Sequence, residues 1–153
     1  MKKLLGIVVL GLLWCGNAYA DKYFLKSIDN LNSNLETANS FDVIFYVSEV
    51  SQALIEPKTS ALKCYRDLNN DSQNLYSDNC KRFRNIFKNN NNQFRLTFKQ
   101  LINIFENLIA KQLGGFFNDV RPTRYEKYMD DIANIEEFIQ LTVKILRMGL
   151  RFK

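Results

Sequence analysis

Apolar residues recur at steps of three and four along most of this chain, and that spacing constrains the fold more than any other feature of the sequence. The clearest run lies between an asparagine tract at residues 89–92 and the pair Gly114-Gly115. Steps of three and four place residues on one face of an α-helix, whereas a half-buried strand would alternate. We therefore predict an amphipathic helix that ends at a left-handed glycine. Its apolar positions are Phe94, Phe98, Leu101, Ile102, Phe105, Leu108, Ile109 and Leu113.

The same spacing predicts three helices in the first half of the chain. The first is expected around residues 24–35. The second begins at Ser40, whose hydroxyl suits an N-cap, and Pro57 either stops it or lies in the turn after it. Ser60 is then the expected N-cap of a short third helix that reaches Leu68. The apolar positions of the first two helices are Phe24, Ile28, Leu31 and Leu35, and Val43, Ile44, Val47, Val50 and Leu54.

Two more helices complete the pattern. One is expected around residues 80–87 and ends in the asparagine tract, which favours a turn. The last helix opens with Thr123 and Glu126, which have the spacing of a capping box, and it continues to the C-terminus unless Gly149 frays it or ends it early. Its apolar positions are Tyr125, Tyr128, Met129, Ile132, Ile135, Ile139 and Leu146.

These patterns predict an all-α protein, a compact antiparallel bundle of four to six helices joined by short loops. Residues 21–153 contain no repeat, no Gly/Ser-rich linker and no abrupt change in amino-acid composition. Those residues are therefore expected to form a single helical domain of ordinary size.

Residues 1–20 have the organisation of a secretory signal peptide: a positive start, an apolar segment and the small-x-small site Ala18-Tyr19-Ala20. We predict cleavage after Ala20 and export to the periplasm or exterior of a bacterial cell. One alternative is lipidation at Cys15, although Trp14 is bulky where a lipobox has a small residue. The other is an uncleaved anchor, for which the apolar run falls short of the roughly 20 residues that a bilayer core requires.

Cleavage would leave Cys64 and Cys80 of the three cysteines in the chain. In an oxidising compartment these two residues are expected to form a disulfide. The polar, turn-rich segment at residues 65–79 would then be a corner between two helices, closed by a bridge that contributes about 3 kcal/mol. The alternatives are two buried free thiols, or a redox-active pair, which would need a close Cys-x-x-Cys or a cationic neighbourhood.

The chain contains no histidine. Ser-His-Asp and Cys-His catalysis are therefore excluded, because the imidazole is the base in both. Histidine-ligated zinc and haem are excluded for the same reason. Gly114-Gly115 lacks the lysine and the further glycine of a P-loop. We expect no cofactor, no metal site and no enzymatic activity.

Two weaker catalytic patterns stand against that expectation. Ser60-Ala61-Leu62-Lys63 resembles the Ser-x-x-Lys motif of penicillin-binding proteins, whose domains are larger and carry further motifs that this chain lacks. Carboxylates of the last helix could supply an acid and a base for glycan cleavage, although acidic residues near a helix N-terminus are also favoured as solvated groups. They are Glu126, Asp130, Asp131, Glu136 and Glu137.

Two basic clusters are candidate contacts for an anionic surface. The first belongs to the helix around residues 80–87. The second lies along the last helix, where its members occupy positions i, i+3 and i+7. The alternative without a binding role is that cations favour helix C-termini and keep the surface soluble. The residues are Lys81, Arg82, Arg84 and Lys88 in the first cluster, and Lys144, Arg147 and Arg151, followed by Lys153, in the second.

The segment Leu96-Thr97-Phe98-Lys99-Gln100 fits the pattern Leu-Thr-x-x-Gln. That pattern resembles the repeated motif of small periplasmic Spy-like chaperones, which are helical and basic. The resemblance covers five residues, and Leu141-Thr142-Val143-Lys144-Ile145 lacks the glutamine of a second copy. It implies a chaperone-like binding surface as one alternative function.

The sequence as a whole is typical of an exported, non-catalytic helical protein that binds another macromolecule. The expected partner is an envelope protein, or a toxin-like enzyme that this protein would inhibit. The formal net charge of +5, part of it in the predicted signal peptide, favours anionic partners only weakly. A membrane-surface protein held by its basic C-terminal helix is the alternative of another class. Nucleic acid is not an expected partner of an exported chain, and no feature indicates an oligomeric state.

Overall fold

Residues 21–153 are described by the computed structural model of the chain, and they form an all-α fold without a strand, as predicted. The predicted signal peptide at residues 1–20 lies outside the described residues. None of the helices formed by the described residues combines the length and the apolar character that a membrane span requires. The helices are α1, described over residues 21–34, α2 (Ser40–Ala53), α3 (Ile55–Asn70), α4 (Asp78–Ile86), α5 (Asn91–Leu113) and α6 (Pro122–Arg147), with a 3₁₀ turn at Asn74–Tyr76 between α3 and α4.

The core is a continuous set of apolar side chains from all six helices and the C-terminal segment. Phenylalanines dominate one part of it. Phe24 on α1 makes edge-to-face contacts with Phe87 and Phe138, and Phe152 stacks on Phe94 with 3.9 Å between the ring centroids. Such aromatic pairs contribute about 0.5–1.5 kcal/mol beyond their burial. The stacking of Phe152 therefore fixes the end of the chain against the bundle.

Neighbouring helices in this bundle are not all antiparallel. α2 runs beside α6 in the same direction, because Ser40 bonds to Asp119 before α6 and Ser51 bonds to Asn134 further along it. α1 and α5 are also parallel, whereas α3 with α4 and α5 with α6 are antiparallel. Only Leu54 separates α2 from α3, so these two helices extend along α6 instead of folding back as a hairpin.

The boundaries of α2 and α3 differ from the predicted ones. Asn39, not Ser40, is the N-cap of α2. The third helix begins at Ile55 and not at Ser60. Pro57 therefore neither stops the preceding helix nor lies in the turn after it, and both predicted alternatives are wrong. Pro57 occupies the third position of α3, where a backbone N–H would have no partner within the helix. A proline is therefore tolerated there.

The N-termini of the last two helices also differ. Asn90 caps α5, because its side-chain oxygen accepts hydrogen bonds from the backbone N–H groups of Asn92 and Gln93. The helix begins at Asn91, so half of the asparagine tract belongs to it. The predicted capping box at Thr123 and Glu126 is wrong, because α6 begins at Pro122 with Arg121 as its N-cap. Proline is pre-organised for the first helical position, since its ring fixes φ near the helical value.

Candidate functional site

A pocket of about 280 Å³ lies between α4, the 3₁₀ turn and the C-terminal segment. Four cationic side chains line it, and they come from both basic clusters of the sequence. Lys81 and Arg84 belong to α4, and Arg151 and Lys153 belong to the C-terminal segment. We call this site the cationic pocket. Its other lining residues are Leu75, Tyr76, Asn85, Asn89 and Gly149.

The chain turns at Gly149, after the end of α6, and Arg151 then lines the cationic pocket. α6 ends at Arg147, and Gly149 has a φ of 106°, a left-handed value that terminates helices. Backbone hydrogen bonds from Gly149 and Leu150 to the last turn of α6 close the end of the helix. The predicted i, i+3, i+7 face is therefore wrong for Arg151, which lies beyond the end of the helix.

Arg84 is the most enclosed cation of the pocket, with 8% of its surface exposed. Its Nε atom donates a hydrogen bond of 3.0 Å to the backbone carbonyl of Arg151. Its guanidinium carbon lies 5.3 Å from the centroid of the Tyr76 ring, a cation–π distance. Burial lowers the pKa of Arg84, but a guanidinium stays charged in proteins. Within residues 21–153 no carboxylate forms a salt bridge with it, so this largely enclosed cation lacks a counter-ion.

The C-terminal wall of the cationic pocket is held in place by several contacts. Arg151 donates hydrogen bonds from Nη1 to the backbone carbonyl of Leu146, in the last turn of α6, and to that of Leu150 in the C-terminal segment. The flanking residues Leu150 and Phe152 are buried. The backbone carbonyl of Lys153 accepts a hydrogen bond of 3.0 Å from Asn91. The carbonyl that orients Arg84 is thus fixed before any ligand binds.

The opposite wall depends on the predicted disulfide. Cys64 on α3 and Cys80 on α4 are bonded in the structure. The bridge closes residues 65–79, which contain the 3₁₀ turn and therefore Leu75 and Tyr76. The segment expected to be only a polar corner between helices thus supplies an aromatic side chain to the cationic pocket.

The structure disperses the other predicted basic residues. Arg82 lines a different pocket of about 330 Å³ that also contains Glu56, and Lys88 lines a pocket beside α1. Lys144 places its Nζ atom 6.0 Å from the centroid of the Tyr65 ring. Arg147 is exposed near the end of α6. Of the eight residues in the two basic clusters, four therefore share one site: Lys81, Arg84, Arg151 and Lys153.

The Ser-x-x-Lys residues lie near each other in this structure. Ser60 and Lys63 line the same pocket as Arg82, but among the described residues the Ser60 hydroxyl and the Lys63 amine share no hydrogen bond. No group of three or more metal-ligating side chains occurs in the described part of the chain.

The carboxylates of α6 point to different environments. Asp131 is buried, and burial raises the pKa of its carboxyl against the opposing effect of a hydrogen bond from Ser51 on α2. Glu137 forms a salt bridge with Lys58 on α3. The remaining three, Glu126, Asp130 and Glu136, are exposed. Among these five carboxylates, one is therefore buried, one is paired with a lysine and three are exposed.

The Leu-Thr-x-x-Gln residues make contacts within the bundle. Thr97 is buried and accepts a hydrogen bond of 3.0 Å from Gln93. Gln100 donates one of 3.0 Å to Asp29 on α1. Leu96 is 56% exposed. Two of the three motif residues therefore have structural partners.

Sequence reasoning missed the uncharged residues of the cationic pocket. Tyr76 could have been noticed as an aromatic residue within an otherwise polar loop. Asn85 and Asn89 gave no signal, because asparagine is common throughout the chain. Asn89 has a φ of 46° and a buried Oδ1 atom without a hydrogen-bond donor among the described residues.

Comparison with known proteins gives no match for this chain among family models, curated proteins or solved structures. The interpretation of the cationic pocket therefore depends on the chemistry of its own residues.

Proposed function

We propose that this chain is an exported, non-catalytic helical protein that binds an acidic macromolecule of the cell envelope through the cationic pocket. The partner is an envelope protein with an acidic surface, or an enzyme that this protein inhibits. Export is supported by the pattern of residues 1–20. The observation that carries the binding role is the buried Arg84, which has no acidic partner within residues 21–153.

The energetics of a buried charge favour a partner that supplies the missing anion. An uncompensated buried ion is costly, and an opposite charge with well-aligned hydrogen bonds offsets that cost. Among the described residues, Arg84 forms its side-chain hydrogen bond through Nε alone. The two outer nitrogens of the guanidinium can therefore donate to a partner. Tyr76, beside it, is 66% exposed. Arginine and tyrosine are the residue types most enriched at energetic centres of protein interfaces.

Retention on immobilised poly-glutamate, a model for an acidic protein surface, tests this proposal. The Lys81→Glu/Lys153→Glu variant reverses two exposed charges of the cationic pocket. We expect the purified protein to be retained at low ionic strength, and this variant to elute at a clearly lower salt concentration. Electrostatic contacts weaken as salt shortens the Debye length, so the elution position measures them directly.

The matched control is Lys144→Glu/Arg147→Glu, which changes the net charge equally at exposed positions outside the pocket. The proposal requires this control to stay closer to the unmodified protein than the pocket variant does. Equal losses in the two variants would show that net charge alone governs retention, and would overturn the pocket as the contact site.

A membrane-surface role is the second candidate, favoured by the exposed Lys144 and Arg147. The apolar side of α6, including Phe138 and Ile145, is buried in the core, so the helix would contact lipid through charge alone. Co-sedimentation with vesicles containing phosphatidylglycerol should then be lost at high salt and in Lys144→Glu/Arg147→Glu. Binding that survives both changes would exclude this electrostatic contact.

A further inference from the structure

We infer that the cationic pocket binds a phosphate group, either free inorganic phosphate or the phosphate of a monoester, with the guanidinium of Arg84 at its centre. This inference goes beyond the proposed function because it gives the pocket a small ligand of its own. It rests on the same pocket, and the experiment below separates the two.

The number of cations favours phosphate over a single carboxylate. Lys81, Arg84, Arg151 and Lys153 surround one small pocket, whereas a carboxylate offers one charge and two oxygen atoms. A phosphate monoester offers close to two charges and three terminal oxygens at neutral pH. It can therefore meet the planar guanidinium through two oxygens and a lysine ammonium through the third.

Acidic side chains do not neutralise the pocket. Its lining includes no aspartate or glutamate. Asp78 lies 3.8 Å from the Nζ atom of Lys81, but both side chains are largely exposed and three residues apart on α4. Such surface pairs contribute little, so the ammonium can leave Asp78 for a stronger anion.

The shape and polarity of the pocket suit a small polar group. Its volume of about 280 Å³ is just below the range of about 300–1,000 Å³ that holds drug-sized ligands. Asn85 and Asn89 add amide groups to the lining.

The arrangement is also pre-organised for a ligand. The Nε bond from Arg84 to the Arg151 carbonyl fixes the plane of the guanidinium, and the Tyr76 ring covers one side of it. The walls are held by the disulfide and by the buried Phe152. Little side-chain freedom is therefore lost when a ligand binds, and preorganised groups gain affinity for that reason.

Titration of the purified protein with inorganic phosphate, followed by amide NMR shifts at constant pH and ionic strength, tests this inference. We expect saturable shifts in the 3₁₀ turn, at Arg84 and in residues 149–153. Sodium chloride and sodium acetate serve as the competing anions, and both should bind at least about tenfold more weakly, a difference of about 1.4 kcal/mol.

Two pocket variants and one control sharpen the result. Lys81→Gln/Lys153→Gln changes only exposed side chains, so it should fold normally and raise the dissociation constant for phosphate about tenfold. Arg84→Lys keeps the charge but loses the planar fork, and should weaken binding further. Lys144→Gln/Arg147→Gln removes the same charge elsewhere and should bind phosphate like the unmodified protein.

The inference is overturned if phosphate gives no saturable shifts, if acetate binds equally well, or if the control loses as much affinity as Lys81→Gln/Lys153→Gln. Vesicles of phosphatidylcholine with phosphatidic acid identify the source of the phosphate. Co-sedimentation that free phosphate inhibits would assign the ligand to a lipid phosphate. Phosphate binding without co-sedimentation would assign it to a soluble phosphate.

The poly-glutamate column separates this inference from the proposed function. Pocket-dependent retention without phosphate binding would leave the proposed function standing and refute the phosphate site. Phosphate binding without pocket-dependent retention would establish the phosphate site and refute the acidic partner.

Discussion

At the scale of single residues, Asp131 is a buried carboxyl whose ionisation lowers the stability of the folded state. It lies on the buried side of α6 against α2, and burial raises the pKa of its carboxyl. A hydrogen bond from Ser51 and the charge of Lys127 act in the opposite direction, while the charge of Asp130 adds to the increase. A carboxyl with a raised pKa in the folded state favours its protonated form there, so ionisation reduces stability.

We predict that Asp131→Asn is more stable than the unmodified protein at pH 7, with a difference that disappears below pH about 4. Above the unfolded pKa the folded state binds more protons at this site than the unfolded state, so stability falls as the pH rises through the folded pKa. The variant has no such cost, and its amide can still accept the bond from Ser51. Denaturant unfolding between pH 3 and pH 8 measures the difference, with the exposed Asp130→Asn as control. A pH-independent loss of stability in Asp131→Asn would contradict the assignment.

At the scale of helices, glycines after the last turn decide where α5 and α6 end. Gly114 follows α5 with an ordinary φ of −81°, and Gly115 has a left-handed φ of 78°. The N–H of Phe116 then bonds to the carbonyl of Lys111 in the last turn, which satisfies a group that the helix leaves without a partner. The prediction that this glycine pair ends the helix in a left-handed conformation is confirmed, with Gly115 as the residue concerned.

The two neighbouring glycines provide a matched pair for this element. Gly115→Ala should lower the free energy of unfolding by about 1 kcal/mol, because a Cβ in the left-handed region meets backbone atoms and would also approach the Asn118 side chain at 2.8 Å. Gly114→Ala should change stability by less than about 0.5 kcal/mol, since its φ suits alanine. Thermal and denaturant unfolding of both variants gives the comparison. Equal effects would show that the left-handed conformation does not control this helix end.

At the scale of the whole molecule, the disulfide connects stability with the candidate site. Cys64 and Cys80 join α3 to α4, and the loop between them carries Tyr76 to the cationic pocket. The C-terminal segment closes the same pocket from the other side through Arg151. Two distant parts of the chain therefore meet at this pocket in the folded bundle.

Loss of the disulfide should destabilise the whole bundle. We predict that Cys64→Ser/Cys80→Ser lowers the free energy of unfolding by about 3 kcal/mol, because the unfolded chain regains the entropy of an open loop. Reductant should produce a similar loss in the unmodified protein and none in the variant. Denaturant unfolding with and without reductant measures both, and an unmodified protein that is insensitive to reductant would contradict the stabilising role.

Export is the second prediction at this scale. Protein recovered from the periplasm of an expressing bacterium should begin at Asp21 by N-terminal sequencing, because Ala18 and Ala20 provide the small residues of the cleavage site. Ala20→Leu should slow or shift the cleavage, whereas Cys15→Ala should leave it unchanged. Loss of membrane attachment in Cys15→Ala would instead indicate lipidation, and recovery of the uncut chain in the cytosol would refute export.

Local sequence determined the helical character of this protein. The periodic apolar residues of α5 and the glycine after it act within one or two turns, and the structure confirms both. The boundaries at Pro57 and Thr123 were predicted incorrectly because several nearby residues can start a helix, and packing selects among them. The disulfide was predictable because only two cysteines remain in the mature sequence that we expect.

The cationic pocket could not be derived from the sequence, although all four of its cations belong to the two basic clusters identified there. Lys81 and Arg84 are separated from Arg151 by the whole of α5 and α6, and no local spacing indicates that they meet. Their approach depends on the left-handed turn at Gly149 and on the burial of Phe152 in the core. The sequence determined which side chains are charged and which segments are helical, because those properties are local. Tertiary structure alone decided which charges share a pocket and which lose water, because both depend on packing between distant segments.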